Sequence, residues 1–360
     1  MKQLILIIIL AFAVSSFEKY DAENITNAID SFIQEQMGKF HIPAISVAVI
    51  NNGNIIFKKS YGYAIPEYSI PNTNTTAFQL GSVTKLITAT AVMKLVEDNK
   101  LDLNEKVSFY LKELPESWNN MKVIDLLSHQ SGIFDLLSLK HDFKSLDEAL
   151  DTAINRPLEF EPGTKTVYAG GDYAVVMKLI ETVSGEDFQS FLKRTLFEKA
   201  GMKHAVYNNM IQDYIYRTYD VIPNNATVYT WNETQHKQQI FSMNFPSWTY
   251  TSGGLFASIN DLTKWTLALD NNTILKPENR DLMWTSAKLR NGDTSPFGVG
   301  WIVDQHNNEK ATGHSGGPAL ADVVHIPDKD LTVIVLTNQL NLRPFLAMHI
   351  IDIYTEFLKS

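Results

Sequence analysis

Ser82-Val83-Thr84-Lys85 stands at the head of the apolar run Leu86-Ile87-Thr88-Ala89-Thr90-Ala91-Val92-Met93. A helix puts positions i and i+3 on one face, so a helix beginning at or just before Ser82 makes its hydroxyl and the Lys85 ammonium neighbours. The stripe Lys85, Ala89, Val92, Val96 repeats at helical spacing and is apolar after its first member, while Lys94, Glu97 and Asp98 fall mostly elsewhere. Lys85 therefore leads a face expected to be buried. A serine hydroxyl is a poor nucleophile until something takes its proton, and a lysine takes it only when desolvation or a nearby cation lowers its pKa towards neutrality. S-x-x-K alone is a common string, and a lysine one turn into a helix ordinarily extends its stem to solvent. The apolar context sets this one apart.

The chain has 360 residues, of which 44% are hydrophobic, enough for one large domain or two interleaved ones. A net charge of −9 and the lack of any Lys/Arg cluster argue against a nucleic-acid partner, which requires a basic patch. With no cysteine there is neither a disulfide framework nor a thiolate metal site. The nine histidines include no H-E-x-x-H pair, so neither a catalytic metal nor another cofactor is expected. Met1-Lys2-Gln3, an apolar stretch over 4–14 and then Ser15-Ser16 have the layout of a signal peptide, here residues 1–16. The expected consequence is export to the periplasm or beyond with the signal cleaved. The apolar stretch falls short of the roughly 20 residues of a comfortable membrane span, which leaves an uncleaved anchor as the alternative and no other membrane partner.

Residues 44–50 and 54–63 are β-rich and separated by Asn51-Asn52-Gly53, a turn that predicts a hairpin. Ile25, Ile29, Phe32 and Ile33 predict an amphipathic helix ahead of it. Helical patterns follow over 123–128, 146–154, 173–182 and 187–199. Strand signals return at 297–304, 319–325 and 331–336, and a helical pattern closes the chain at 346–358. A two-stranded hairpin is only marginally stable alone, so the N-terminal pair is expected to join the C-terminal strands in one antiparallel sheet. The predicted class is α/β in the α+β sense: a sheet-containing lobe from residues 20–75 and 295–360, and a mainly helical lobe from 76–294. A ligand cleft is expected between them.

Two later segments complete a constellation: Pro162-Gly163-Thr164-Lys165-Thr166-Val167-Tyr168-Ala169-Gly170-Gly171-Asp172-Tyr173, and Thr312-Gly313-His314-Ser315-Gly316-Gly317-Pro318. With Ser82-x-x-Lys85 they stand in the order and at the separations of the penicillin-recognising serine hydrolases. The chain resembles in particular the class C β-lactamase family, with its D-alanyl-D-alanine carboxypeptidases, D-amino-acid peptidases and esterases of β-lactamase/transpeptidase-like fold. The resemblance runs from about residue 20 to the end and includes Leu126-Leu127-Ser128-His129-Gln130-Ser131-Gly132, Ser252-Gly253-Gly254-Leu255 with Asp261-Leu262, and Ile326-Pro327-Asp328 to Leu336-Thr337-Asn338. It implies that Ser82 is the acylated nucleophile, Lys85 its base or proton relay, and Tyr168 a proton shuttle. It further implies an oxyanion hole from the backbone N–H groups of Ser82 and Gly317, with His314-Ser315-Gly316 on a strand lining the site. Because Tyr168 ordinarily titrates near 10, it acts as a base only if Lys85 holds its anion, so the two form one coupled unit.

Two departures bear on substrate. Where the family's second motif is Tyr-x-Asn, whose amide holds an acylamino side chain, this chain has Tyr168-Ala169-Gly170. Where the third is usually Lys-Thr-Gly, it has His314-Ser315-Gly316, exchanging a permanent cation for a group that ordinarily titrates near 6.5. Gly170, His314, Ser315 and Gly316 are accordingly the candidate substrate-binding positions. The reading ranks a small-molecule or peptide acyl donor, an ester or a D-residue peptide, above a β-lactam or the D-alanyl-D-alanine terminus. A binding or sensing homologue without turnover is a further alternative. Gly313-His314-Ser315-Gly316-Gly317 also fits the G-x-S-x-G nucleophile elbow, but Ser315 is followed by Pro318 and β-rich runs rather than by a helix, an acid and a histidine. A glycine-rich turn feeding a strand is the plainer account. His129 is expected to satisfy a turn near Ser131-Gly132.

Overall fold

The structure, a computed structural model, describes residues 23–139, 141, 143–212, 217–243, 245–317, 320–340 and 346–358. The expected signal segment lies outside them. Strands β1 (Ala44–Asn51) and β2 (Asn54–Ile65) form the predicted hairpin, Asn51 opposite Asn54. Asn52 at φ 49° and Gly53 at φ 69° supply the two positive φ values that a two-residue turn matching strand twist demands. A short β3 (Ile70–Pro71) follows, and the C-terminal part contributes β4 (Ile302–His306), β5 (Glu309–Gly316), β6 (Ala321–Ile326) and β7 (Leu331–Thr337). All seven join one sheet in the order β4-β5-β6-β7-β1-β2-β3. β1 pairs antiparallel with both β2 and β7, so the two ends of the chain meet in its middle.

Period-two alternation divides β1 between two cores. Ala44, Ala48 and Ile50 face the larger core, shared with the middle of the chain. Ile45, Val47 and Val49 face a second core closed by helix α1 (23–39) through Ile29 and Ile33 and by the C-terminal helix through Ile350, Ile351 and Tyr354. Both faces are covered, which explains why β1 and β7 read as almost unbroken apolar runs. Each fully buried Val or Ile contributes about 1.5–3 kcal/mol. A one-residue register slip would exchange the two faces, so the register is strongly specified.

The middle of the chain carries α2 (Thr84–Glu97), α3 (Gly170–Ser184) and α4 (Ile259–Asp270); α5 (Leu346–Phe357) is the C-terminal helix. α2 departs from the amphipathic expectation: every residue from Thr84 to Met93, and Leu95, is buried. Its threonines are satisfied internally, Thr88 donating to the Thr251 carbonyl at 2.8 Å and Thr90 to the Leu86 carbonyl at 2.9 Å. A helix buried on nearly all sides needs no polar face.

Three other expectations change. The helix expected over 187–199 divides into Phe188–Leu192, a π-helical turn at Lys193–Phe197 and Glu198–Ala200. The strand expected over 297–304 begins only at Ile302, and residues 313–316 lie in strand β5, as the resemblance implied for His314-Ser315-Gly316, rather than in a glycine-rich turn. The middle also holds strands: Phe78–Gln79, Leu255–Ala257 and Val206–Tyr207 form a small sheet, and Tyr229–Asn232 pairs with Lys237–Ile240.

Candidate active site

A 3-10 turn, Gly81–Val83, leads into α2 and presents Ser82 at its head. Two glycines let this turn press against the end of β5. Gly81 has φ +52°, and a Cβ there would lie 3.0 Å from the Gly317 carbonyl oxygen; a Cβ at Gly316 would lie 1.8 Å from the Leu80 carbonyl oxygen. The close approach brings the Ser82 turn beside Gly316-Gly317. At Gly317 itself a Cβ would meet nothing within 4 Å, so its outer side faces open space. The backbone constraint thus falls on Gly81 and Gly316, each one residue before an expected oxyanion donor.

Ser82, Lys85 and Tyr168 converge. Lys85 Nζ lies 3.3 Å from Ser82 Oγ and 3.0 Å from the Ser252 carbonyl oxygen, and the Tyr168 hydroxyl donates to Ser82 Oγ at 2.9 Å. The ammonium position is sandwiched between the rings of Tyr168 and Tyr173, each centroid 4.9 Å away. Lys85 is 2% exposed and forms no ion pair among the described residues. Burial pulls it from an ordinary value near 10.5 down to about 7, against the opposing pull of Asp172 and Asp135. Tyr168 goes the other way: although 43% of its surface remains in solvent, desolvation pushes the phenol up to about 12, with its hydrogen bond to Ser82 opposing. Near neutral pH the amine is the available base and the phenol keeps its proton. The arrangement supplies a nucleophile, a proton acceptor and a proton donor around one oxygen.

A second buried cluster holds Tyr168 in place. His129, at φ 57°, accepts the Val167 N–H on its backbone oxygen at 2.8 Å, and its Nδ1 accepts a longer bond from the Ala169 N–H at 3.4 Å. Asp172 Oδ2 sits 2.8 Å from the same Nδ1, and Ser131 donates to Asp172 Oδ1. Desolvation holds His129 well below its ordinary range and raises Asp172 well above the carboxylate range. Both shifts disfavour charge in the pair, and Nδ1 and Oδ2 share one proton across their 2.8 Å contact. The His129 ring packs 4.4 Å from Tyr168, 5.5 Å from Tyr173 and 5.0 Å from Phe297. His129 therefore does more than satisfy a turn: it fixes both neighbours of Tyr168.

At the rim, the Gly170 N–H donates to Asp135 Oδ1 at 2.8 Å, and a Cβ at Gly170 would lie 2.7 Å from Leu137 Cδ1. His314 faces the site, its ring 6.0 Å from that of Tyr168. Its Nδ1–H donates to the Ser315 carbonyl at 2.8 Å, which leaves Nε2 as a buried acceptor without a partner among the described residues. The expectation of a group titrating near 6.5 is corrected, since burial and the nearby Lys85 lower His314 to about 3. Ser315 alternates to the opposite face of β5, where its hydroxyl donates to Asp322 Oδ1 at 3.0 Å, directly across on β6. Its side chain is thus separated from the other candidates, and the site-facing groups of β5 are His314 and the backbone near Gly316.

Sequence reasoning passed over Tyr173, Asp172 and Asp135 as site groups. Asp172 and Tyr173 lay inside the quoted Tyr168 segment, and their placement at the start of α3 was the available signal. Asp135 carried none, because only the folding of the 133–139 loop over α3 brings it there.

The chain matches the Beta-lactamase family over residues 29–353. A protein of Salmonella typhimurium named "Putative D-alanyl-D-alanine carboxypeptidase" is 24% identical, the alignment covering 89% of this chain and 84% of that protein. The octameric penicillin-binding protein homologue of Pyrococcus abyssi superposes with a TM-score of 0.76 at 27% identity, covering 92% of this chain and 77% of the other. The D-amino acid amidase of Ochrobactrum anthropi shares the fold at TM-score 0.74 and 20% identity, covering 92% and 98%. With the family matched along nearly its whole length, the chain belongs to the beta-lactamase family of serine hydrolases.

Proposed function

We propose that this protein is an exported hydrolase of the class C-related branch that acts through an acyl-enzyme at Ser82 on an ester or a D-residue peptide. One observation carries the reading: a buried lysine shifted to about 7 lies 3.3 Å from a serine hydroxyl that also receives a tyrosine hydrogen bond. In its neutral form Lys85 has a lone pair for the Ser82 proton and can still donate to the Ser252 carbonyl. Ser82 Oγ then bonds to the substrate carbonyl carbon. The developing oxyanion is assigned to the backbone N–H groups of Ser82 and Gly317. Tyr168, still protonated, holds a proton 2.9 Å from Ser82 Oγ, where the leaving oxygen or nitrogen departs and needs one. The Lys85 ammonium returns its proton to the Tyr168 oxygen, which resets both groups; water then attacks the carbonyl carbon of the Ser82 ester as neutral Lys85 takes its proton, and Ser82 Oγ leaves with that proton as the acid is released.

The missing amide at Gly170 and the neutral His314 favour this substrate class over β-lactams or the D-alanyl-D-alanine carboxylate, since neither residue offers a cation to that carboxylate. Incubation of the mature protein with a fluorophosphonate and measurement of its intact mass tests the nucleophile. One adduct is expected, absent in Ser82→Ala. A panel of p-nitrophenyl esters, nitrocefin and D-alanyl peptides tests the substrate ranking, with nitrocefin expected to be slowest. Failure of every probe to acylate Ser82 would favour a binding protein instead.

A further inference from the structure

Two side chains from elsewhere stand where the second motif's missing side chain would begin: Leu137, whose Cδ1 lies 2.7 Å from the place of a Gly170 Cβ, and the carboxylate of Asp135. Gly170 stands two residues after Tyr168, whose hydroxyl touches the nucleophile, and Asp135 Oδ1 lies 3.3 Å from where a Gly170 Cβ would begin. That oxygen accepts the Gly170 N–H at 2.8 Å and the Leu137 N–H at 3.3 Å, which fixes the carboxylate at the start of α3. Its second oxygen accepts no hydrogen bond from the described residues. Asp135 forms no ion pair among them, and it is only partly buried. Its carboxylate acts through space on Lys85, His129, Tyr168 and Asp172, so it lies near the proton-transfer groups.

An amide at this place would offer both a donor and an acceptor; a carboxylate offers acceptors alone and a negative charge. We infer that Asp135 is the specificity-determining residue of the acyl subsite and that it selects acyl donors bearing a protonated amine beside the scissile carbonyl, such as a D-amino-acid amide or a D-peptide with a free amino terminus. An N-acylated donor instead brings a carbonyl oxygen towards an anion and finds no side-chain amide to receive it. The inference rests on Ser82 acylation as proposed above, and it names which acyl groups that site takes. Charge-assisted hydrogen bonds of this kind are the strong ones.

The test compares D-alanine p-nitroanilide, N-acetyl-D-alanine p-nitroanilide and the amine-free propionic p-nitroanilide, with p-nitrophenyl acetate reading acylation itself. For the native protein kcat/KM on the free-amine anilide should exceed that on the propionic one by about ten-fold or more, and the N-acetyl one should be slowest. In Asp135→Asn, which still accepts the Gly170 N–H, that ratio should fall to within about three-fold of unity. A purely structural role for Asp135 would lower all rates together and leave the ratio unmoved, which would overturn the inference. So would a native preference for the blocked or amine-free substrate, or cleavage of p-nitrophenyl acetate with no anilide cleaved. Failure of the native protein on every substrate, p-nitrophenyl acetate included, would instead count against the acyl-enzyme reading itself.

Discussion

Two buried polar clusters lie side by side beneath the cleft and differ in what they leave free. Around Lys85, burial lowers an amine to about 7 while one neighbour, Ser82, keeps a path to open space. Around His129 and Asp172, burial likewise disfavours charge, but Nδ1 and both carboxyl oxygens are engaged and the His129 ring is walled in by Tyr168, Tyr173 and Phe297. Desolvation perturbs a pKa in either place. It becomes chemistry only where the perturbed group touches an accessible reacting atom, and elsewhere it becomes scaffolding.

The sharpest way to break this comparison is Lys85→Met. Loss of the base should reduce acylation of Ser82 by about 1,000-fold or more. The same change should stabilise the protein in a pH-dependent way. Because the folded state holds Lys85 near 7 rather than 10.5, it resists a proton that the unfolded chain accepts. The cost is absent above about 10.5, grows as pH falls and is complete below about 7. Thermal denaturation should therefore show the variant gaining most over the native protein at pH 6 and least at pH 10. Equal gains at both would place the native lysine's pKa elsewhere.

Tyr168→Phe comes next. With its phenol held near 12, Tyr168 acts as a donor and not as the base, so hydrolysis should fall by about 100-fold while the rate limb near pH 7 stays where it is. Disappearance of that limb would give tyrosine the role assigned to lysine. On the scaffolding side, Asp172→Asn should cost less than about 1 kcal/mol in urea denaturation, since a neutral acid and an amide present the same acceptor and donor. Asp172→Ala should cost about 1–3 kcal/mol by removing the acceptor of the Ser131 hydroxyl and the close partner of His129 Nδ1. Equal costs for the two would mean that Asp172 is ionised in the fold. The smallest effect is expected from Gly170→Asn: exposed Leu137 can swing aside, and p-nitrophenyl acetate hydrolysis should change by less than about three-fold. Faster acylation by nitrocefin in that variant would confirm that the missing amide limits β-lactams, and an unchanged rate would remove that explanation.

Legibility followed locality. The 51–54 turn was readable because two consecutive residues had to adopt positive φ, and the sheet closure followed from the instability of a lone hairpin. Ser82 and Lys85 were readable because helical spacing joins them. β5 was obscured by Gly313 and Gly316, the second of which admits the Leu80 carbonyl, a contact from far earlier in the chain. The direction of Ser315 depended on strand register, and the neutrality of His314 on burial that no single segment determines. Asp135 needed a loop folded over a helix start.

The most direct test is the pH dependence of Ser82 labelling by a fluorophosphonate, followed by intact mass between pH 5 and 10. If a buried neutral Lys85 is the base, the labelling rate rises about ten-fold per pH unit at low pH, bends near 7 and stays flat above it. A rate that keeps rising to pH 10 without a bend near neutrality would contradict that assignment.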